Sequence, residues 1–194
     1  MSTISIVTCY FDNSPGPRIN PNDPVNMTPV TPSLTPTPSI TPALPPWDAI
    51  YGGTGYTIGF GIVETADQGY WIAGGTDGQD LTPDVNLNTG SSGIYNLKIT
   101  AQGTKEWDGL YGGNSEEMAL GCVLAADGGL VILAQSNSGE IIPTHGSYGG
   151  EQDIYILKIN TSGEKVWDTF YGGAAIENAS SILRTGDGGF LILN

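Results

Sequence analysis

Apolar residues run together in three short blocks, Tyr70-Trp71-Ile72-Ala73, Leu130-Val131-Ile132-Leu133 and Phe190-Leu191-Ile192-Leu193. A strand in a sheet with one wet face alternates apolar and polar positions, so consecutive apolar positions predict strands covered on both faces. Each block directly follows an Asp-x-Gly triplet: Asp67-Gln68-Gly69, Asp127-Gly128-Gly129 or Asp187-Gly188-Gly189. The triplets predict hairpin turns with positive φ at glycine. Residues 59–65 therefore form a first strand and each apolar block a second. Residues 94–99 and 154–159 read as third strands. A glycine turn at Gly103 or Gly163 then leads into a fourth strand that carries a tryptophan.

These strands recur in register. Trp47-Asp48-Ala49-Ile50-Tyr51-Gly52-Gly53 returns as Trp107-Asp108-Gly109-Leu110-Tyr111-Gly112-Gly113 and as Trp167-Asp168-Thr169-Phe170-Tyr171-Gly172-Gly173, sixty residues apart each time. Fixed self-similarity at this period predicts a repeat architecture. The copies span residues 47–106, 107–166 and a shortened 167–194. Small antiparallel four-stranded sheets stacked around an axis cover both faces of every strand. The expected fold is thus all-β, a partial β-propeller of about two and a half four-stranded blades. A β-solenoid fits less well, because its rungs are shorter and parallel. An unclosed ring would leave sheet faces and strand edges open to association.

The Trp-x-x-x-Tyr-Gly-Gly and Asp-Gly-Gly-Phe-Leu-Ile-Leu segments, with Asp153-Ile154-Tyr155-Ile156-Leu157-Lys158, resemble propeller-type repeats of bacterial and archaeal secreted or surface proteins. The resemblance covers residues 47–194. It implies export and a non-enzymatic scaffold or adhesive role, and it brings no catalytic residues with it. The first copy departs from the pattern at Gln68 and at Gly93.

Residues 1–46 are a Pro/Thr-rich leader. Proline fixes φ and removes the backbone donor, so the leader reads as a disordered, extended spacer that holds the repeats off a surface. Cys9, in Ile6-Val7-Thr8-Cys9, resembles the lipidated cysteine at the end of a bacterial lipoprotein signal and is the candidate lipid anchor. Thr8 and the lack of a basic start depart from that signal. No apolar run is long enough to span a bilayer. These features place the chain at the cell surface or outside the cell.

Charge narrows the partners. With 20 acidic and 6 basic residues, the formal net charge is −14. Such a chain repels phosphate backbones, so nucleic acid is excluded, as is an anionic lipid surface. Divalent cations are attracted. Asp84, Asn86 and Asn88 carry oxygens at alternate positions and form the candidate Ca²⁺ site. The second copy has Thr144, Gly146 and Tyr148 there, so the site is not a property of every copy.

Catalytic candidates are few. His145 is the single histidine, and Cys122 aligns with Ile62 and Ile182 as a core position. The recurrent Trp, Tyr and Asp residues read as packing and turn residues. The expected role is an exported binding or adhesion scaffold for a protein or glycan ligand, contacted through the variable segments 77–93 and 137–153. A polysaccharide-active enzyme or accessory domain with its chemistry elsewhere is one alternative. A structural protein that self-assembles through open blade edges is the other.

Overall fold

The computed structural model describes residues 4–7, 47–78, 80–88, 90, 92–146 and 149–194. Its elements are all strands. They are β1 (Ile4–Val7), β2 (Asp48–Tyr51), β3 (Thr57–Glu64), β4 (Tyr70–Thr76), β5 (Val85–Leu87), β6 (Gly93–Ile99) and β7 (Lys105–Tyr111). The chain continues through β8 (Glu117–Leu124), β9 (Leu130–Ser136), β10 (Asp153–Ile159), β11 (Lys165–Tyr171), β12 (Ser181–Arg184) and β13 (Phe190–Leu193). Among the described residues no helix is long and apolar enough to cross a membrane.

Two large sheets dominate. The first has the order β3-β4-β6-β7-β5 and the second β8-β9-β10-β11. Their antiparallel registers correspond pair by pair: Tyr70↔Ile99 and Lys98↔Trp107 in the first match Leu130↔Ile159 and Lys158↔Trp167 in the second. Each first strand carries an irregularity at the same place, between Gly59 and Gly61 or between Ala119 and Gly121. Two-stranded sheets, β1–β2 and β12–β13, flank the large ones. The ladder does not close on itself.

Both faces of β4 and β9 are covered, as their unbroken apolar runs require, whereas Leu191 and Leu193 of β13 are exposed. In β4, Ile72 joins Tyr95, Leu97 and Ile99 in a cluster that Trp47 and Tyr51 of the flanking segment complete. Trp71 and Ala73 point the other way, into a cluster shared with Ala119, Cys122, Ile132 and Leu157 of the second sheet. Trp71 meets Trp107 edge-on there, with ring centroids 4.8 Å apart at 80°. In β9, Val131 and Leu133 pack instead against Ile182, Phe190 and Ile192.

Matching hydrogen bonds tie two outer strands, β2 and β7, to the sheet after each. Tyr111 donates its hydroxyl to the Gly163 carbonyl at 2.6 Å, and Tyr51 donates to Gly103. Both acceptors are glycines in the turn that precedes the outer strand. Trp47 adds a bond from Nε1 to the Ala101 carbonyl at 2.8 Å.

Three features differ from the sequence expectation. First, the sheets run from β3 to β7 and from β8 to β11, out of phase with copies bounded at residues 47–106 and 107–166, because the strands of Trp107 and Trp167 belong to the sheet before them. Second, the variable segment of the first copy is not purely a loop. It contributes β5, which pairs parallel with β7. The second copy keeps only an isolated parallel bridge, His145↔Thr169. Third, the positive φ of the Asp-x-Gly turn falls on its middle residue: Gln68 (66°), Gly128 (81°) and Gly188 (89°). The last glycine answers a different need: a Cβ on Gly69 would lie 2.5 Å from the Ile99 carbonyl oxygen.

Candidate functional site

The recurrent aspartates are structural. Asp67 accepts hydrogen bonds from Thr65 and from the Gly69 amide, which closes the turn. The half-turn around it is braced by buried Lys98, 3.2 Å from Asp67 and 2.7 Å from Glu106. The Thr65 hydroxyl, the Gly69 amide and Lys98 hold the Asp67 carboxyl down to about 2. Asp127 repeats the bonds from the turn glycine and the lysine, with the Gly129 amide at 3.0 Å and Lys158 at 2.6 Å, but Ala125 stands where Thr65 donates. The Lys158 and Gly129 bonds hold its carboxyl low as well.

The aspartate after each tryptophan anchors the variable segment. Asp168 accepts from the Tyr155 hydroxyl at 2.7 Å, from both the amide and hydroxyl of Thr144 at 2.8 Å, and from Lys165 at 3.1 Å. Burial alone would raise its pKa, but these donors outweigh burial and hold the carboxyl low. Asp108 accepts hydrogen bonds from the Tyr95 hydroxyl at 2.8 Å and from Lys105 at 2.7 Å. Burial, followed by the bond to the aspartate, pushes the Tyr95 hydroxyl well above the usual phenol range, and burial leads the same shift at Tyr155.

The three calcium candidates lie along β5 and its exit. Asp84 exchanges backbone-to-carboxylate bonds with Asp108, at 3.1 and 3.2 Å, and meets Lys105 at 3.3 Å. The Asp108 amide and Lys105 hold its carboxyl low. Asn86 accepts from the Asn88 amide at 3.1 Å, and Asn88 donates to the Gly90 carbonyl at 3.0 Å. Asn88 Oδ1 is buried without a hydrogen-bond partner among the described residues. One unpartnered amide oxygen is not a cation cage. The Asp84 carboxylate, which would supply the charge, shares Lys105 with Asp108. Among the described residues, no group of three or more His, Cys, Asp or Glu converges as a metal site.

Other chemistry-bearing residues are also accounted for. Cys122 is buried, and burial pushes its thiol up to about 12, which removes thiolate reactivity near neutral pH. His145 sits on the parallel bridge to Thr169, its amide bonded to the Asp168 carbonyl at 3.0 Å. Cys9 lies outside the described residues.

A cleft of about 220 Å³ lies between the two large sheets, at the end where β4 finishes and β8 begins. Tyr56, Asp77, Ser92, Glu116, Met118, Gln135 and Gln152 line it, and no Lys or Arg does. Its rim is wired through the backbone: Asp77 donates its amide to the Tyr56 carbonyl at 3.0 Å and its carboxylate accepts from the Tyr56 amide. Thr76 adds a hydroxyl bond to the same carbonyl at 3.1 Å.

Two aligned positions distinguish this cleft from the neighbouring groove, Gly75 in place of Gln135 and Met118 in place of Asn178. In the neighbouring groove, between the second sheet and the β12 region, Gln135 reaches across to Asn178 at 2.6 Å and to the Glu177 carbonyl. At the register position of Gln135, β4 carries Gly75. With no side chain there, nothing bridges the sheets, and the Met118 side chain lies nearby. The cleft draws on both variable segments, through Asp77 and Ser92 and through Gln152. Tyr56, Met118 and Gln135 belong to it without having stood out in the sequence. The available signal was Gly75 standing where the second copy has a glutamine. No protein-family model matches the chain, and no curated protein matches it.

Proposed function

We propose that this chain is an exported, non-enzymatic binding scaffold of the β-propeller type, which contacts a protein or glycan ligand through the cleft between its two large sheets. The observation that carries the reading is that cleft: an exposed aromatic ring, three carboxylates (Asp77, Glu116 and Glu117) and two carboxamides line it. Hydroxyl-rich or cationic groups suit this lining, and anionic ones do not. Its volume lies below the usual range for small-molecule pockets, so it accommodates one segment of an extended ligand. The propeller reading is supported by the matching registers and by the tyrosine-to-glycine bonds that relate successive sheets in the same way. Export is supported by the Pro/Thr spacer. The lipid anchor at Cys9 would require loss of the residues ahead of it, and the β1–β2 pairing favours a chain that retains them.

The test is a titration of neutral and basic oligosaccharides and peptides against the wild-type chain and Gly75→Gln, which restores the bridging arm seen at Gln135. An added Cβ at Gly75 meets only the flexible Met118 side chain at 3.3 Å, so folding should survive. Binding should weaken about tenfold or more, equivalent to about 1.4 kcal/mol, with the melting temperature little changed. Undiminished binding by Gly75→Gln would remove the cleft from the reading.

A further inference from the structure

We propose that the cleft between the two large sheets receives the basic side chain, lysine or arginine, of a protein partner, an inference that rests on the cleft being the ligand site. Charge and shape together carry it. Asp77, Glu116 and Glu117 line the cleft, and no Lys or Arg does. Glu117 is only 3% exposed. Its carboxylate accepts from the Gly113 amide and from the Ser136 hydroxyl, both at 2.8 Å. Both donors are neutral. A carboxylate taken out of water gains most from a cation beside it. The buried carboxylates of the tryptophan strands have one: Asp108 meets Lys105 at 2.7 Å, and Asp168 meets Lys165 at 3.1 Å. The lining around Glu117 supplies no such partner.

The apolar part of the lining fits the stem of such a side chain. Tyr56 and Met118 are 51% and 38% exposed, and half-buried Ile58 lies with them in the cleft. Lysine and arginine are apolar along the stem and charged at the tip, so their methylenes cover surface of this kind while the head meets carboxylates. The Tyr56 ring adds attraction for the cation itself. A neutral sugar ring would use Tyr56 yet leave three carboxylates without a cation. An amino sugar carries its ammonium directly on the ring and has no stem to lay over Ile58 and Met118. A volume of about 220 Å³ suits one side chain of an extended segment.

The rest of the chain favours the same class of partner. Its formal net charge of −14 attracts a basic surface before contact is made. The partner is thus a protein that presents a lysine or arginine on an exposed, extended segment. Added salt screens both the long-range attraction and the exposed Glu116 carboxylate, so the affinity falls as ionic strength rises.

The experiment titrates the full chain with capped peptides Ala-Ala-X-Ala-Ala, where X is lysine, arginine, acetyl-lysine or norleucine, and with an oligosaccharide of glucosamine. Shifts of the Met118 methyl and Tyr56 ring signals in NMR spectra report binding in the cleft. The lysine and arginine peptides should bind about tenfold or more tightly than the other two, because acetylation removes the charge and keeps the stem. Glu116→Gln, at an exposed position, should weaken the basic peptides about fivefold and leave the norleucine peptide unchanged. Equal affinity across the peptides overturns the inference, as does the absence of shifts with both basic peptides. Tighter binding of the glucosamine oligosaccharide than of either basic peptide overturns it too, and assigns the cleft to glycan. Gly75→Gln separates this failure from failure of the cleft. If neutral ligands bind the wild type and are weakened by Gly75→Gln, the cleft stands and the basic side chain is wrong. If basic peptides bind Gly75→Gln undiminished, both fall.

Discussion

A single backbone angle separates the first Asp-x-Gly turn from the other two. Gln68 holds φ at 66°, where a side chain crowds the backbone, while Gly128 and Gly188 reach the same region without that cost. The Gln68→Gly variant should therefore gain stability, by about 0.5–1 kcal/mol, since the strain relieved exceeds the unfolded-state entropy glycine adds. Urea unfolding midpoints measure this directly, and a loss of stability would mean that Gln68 makes a compensating contact. At this scale the aspartates also separate by role. Asp67 is held low by donors that close a turn.

Strand-to-sheet ties operate at the next scale. The Tyr111 hydroxyl is buried and spans from β7 to the turn between β10 and β11. Tyr51 makes the corresponding bond from a half-buried position. Tyr111→Phe should cost about 1–2 kcal/mol, because the Gly163 carbonyl loses its partner in a place water cannot easily reach. Tyr51→Phe should cost less. Chemical denaturation of the two variants checks the order, and equal costs would show that burial does not govern these ties. The variable segments are likewise more than loops. β5 is locked to β7 by the reciprocal bonds between Asp84 and Asp108, so point substitutions in the cleft report on binding more cleanly than removal of residues 77–93.

Over the whole molecule, titration pulls in two directions. Asp67, Asp80, Asp127, Asp168 and Asp187 all have carboxyls held below the ordinary 3.8, so the unfolded chain takes up protons first. Their stabilisation is complete above about 3.8 and is lost as pH falls below it, toward about 2 for Asp67. Asp153 runs the other way. Burial and then the neighbouring Glu177 carboxylate raise it, while the Gly149 amide opposes, so its folded form takes up the proton first. That contribution is full below 3.8 and fades as pH rises through the raised value. With the net charge of −14 adding repulsion near neutrality, the melting temperature should peak on the acid side of neutral and fall below about pH 4. Asp153→Asn should flatten the limb between the peak and pH 7 while leaving the acid limb in place. Thermal melts across pH decide this, and an unchanged upper limb would show that the Asp153–Glu177 repulsion does not reach the folded state's stability.

Local rules made much of the strand pattern legible in the residues. The consecutive apolar blocks required cover on two faces, and Trp71 and Ile72 do enter cores on opposite sides of β4. The Asp-x-Gly triplets gave the hairpins, because an aspartate closing its own turn needs no distant partner. The buried character of Cys122 was also visible, since its aligned positions are isoleucines. Other features depend on contacts between residues far apart in sequence, and no local signal encodes those. The parallel pairing of β5 rests on Asp108, the pairing of β1 on β2 across the leader, and the positive φ at Gln68 on how the last glycine of its turn must approach the Ile99 carbonyl. The cleft is the clearest case. Its side chains come from several strands of two sheets, and neither member of the Gln135–Asn178 bridge has a polar counterpart there, the aligned residues being Gly75 and Met118. Sequence determined which residues become strands, turns and core, because these follow from hydrophobic period and backbone freedom. Only the tertiary structure decided which gap between sheets stays open and which edges stay unpaired, because both depend on what lies across the interface.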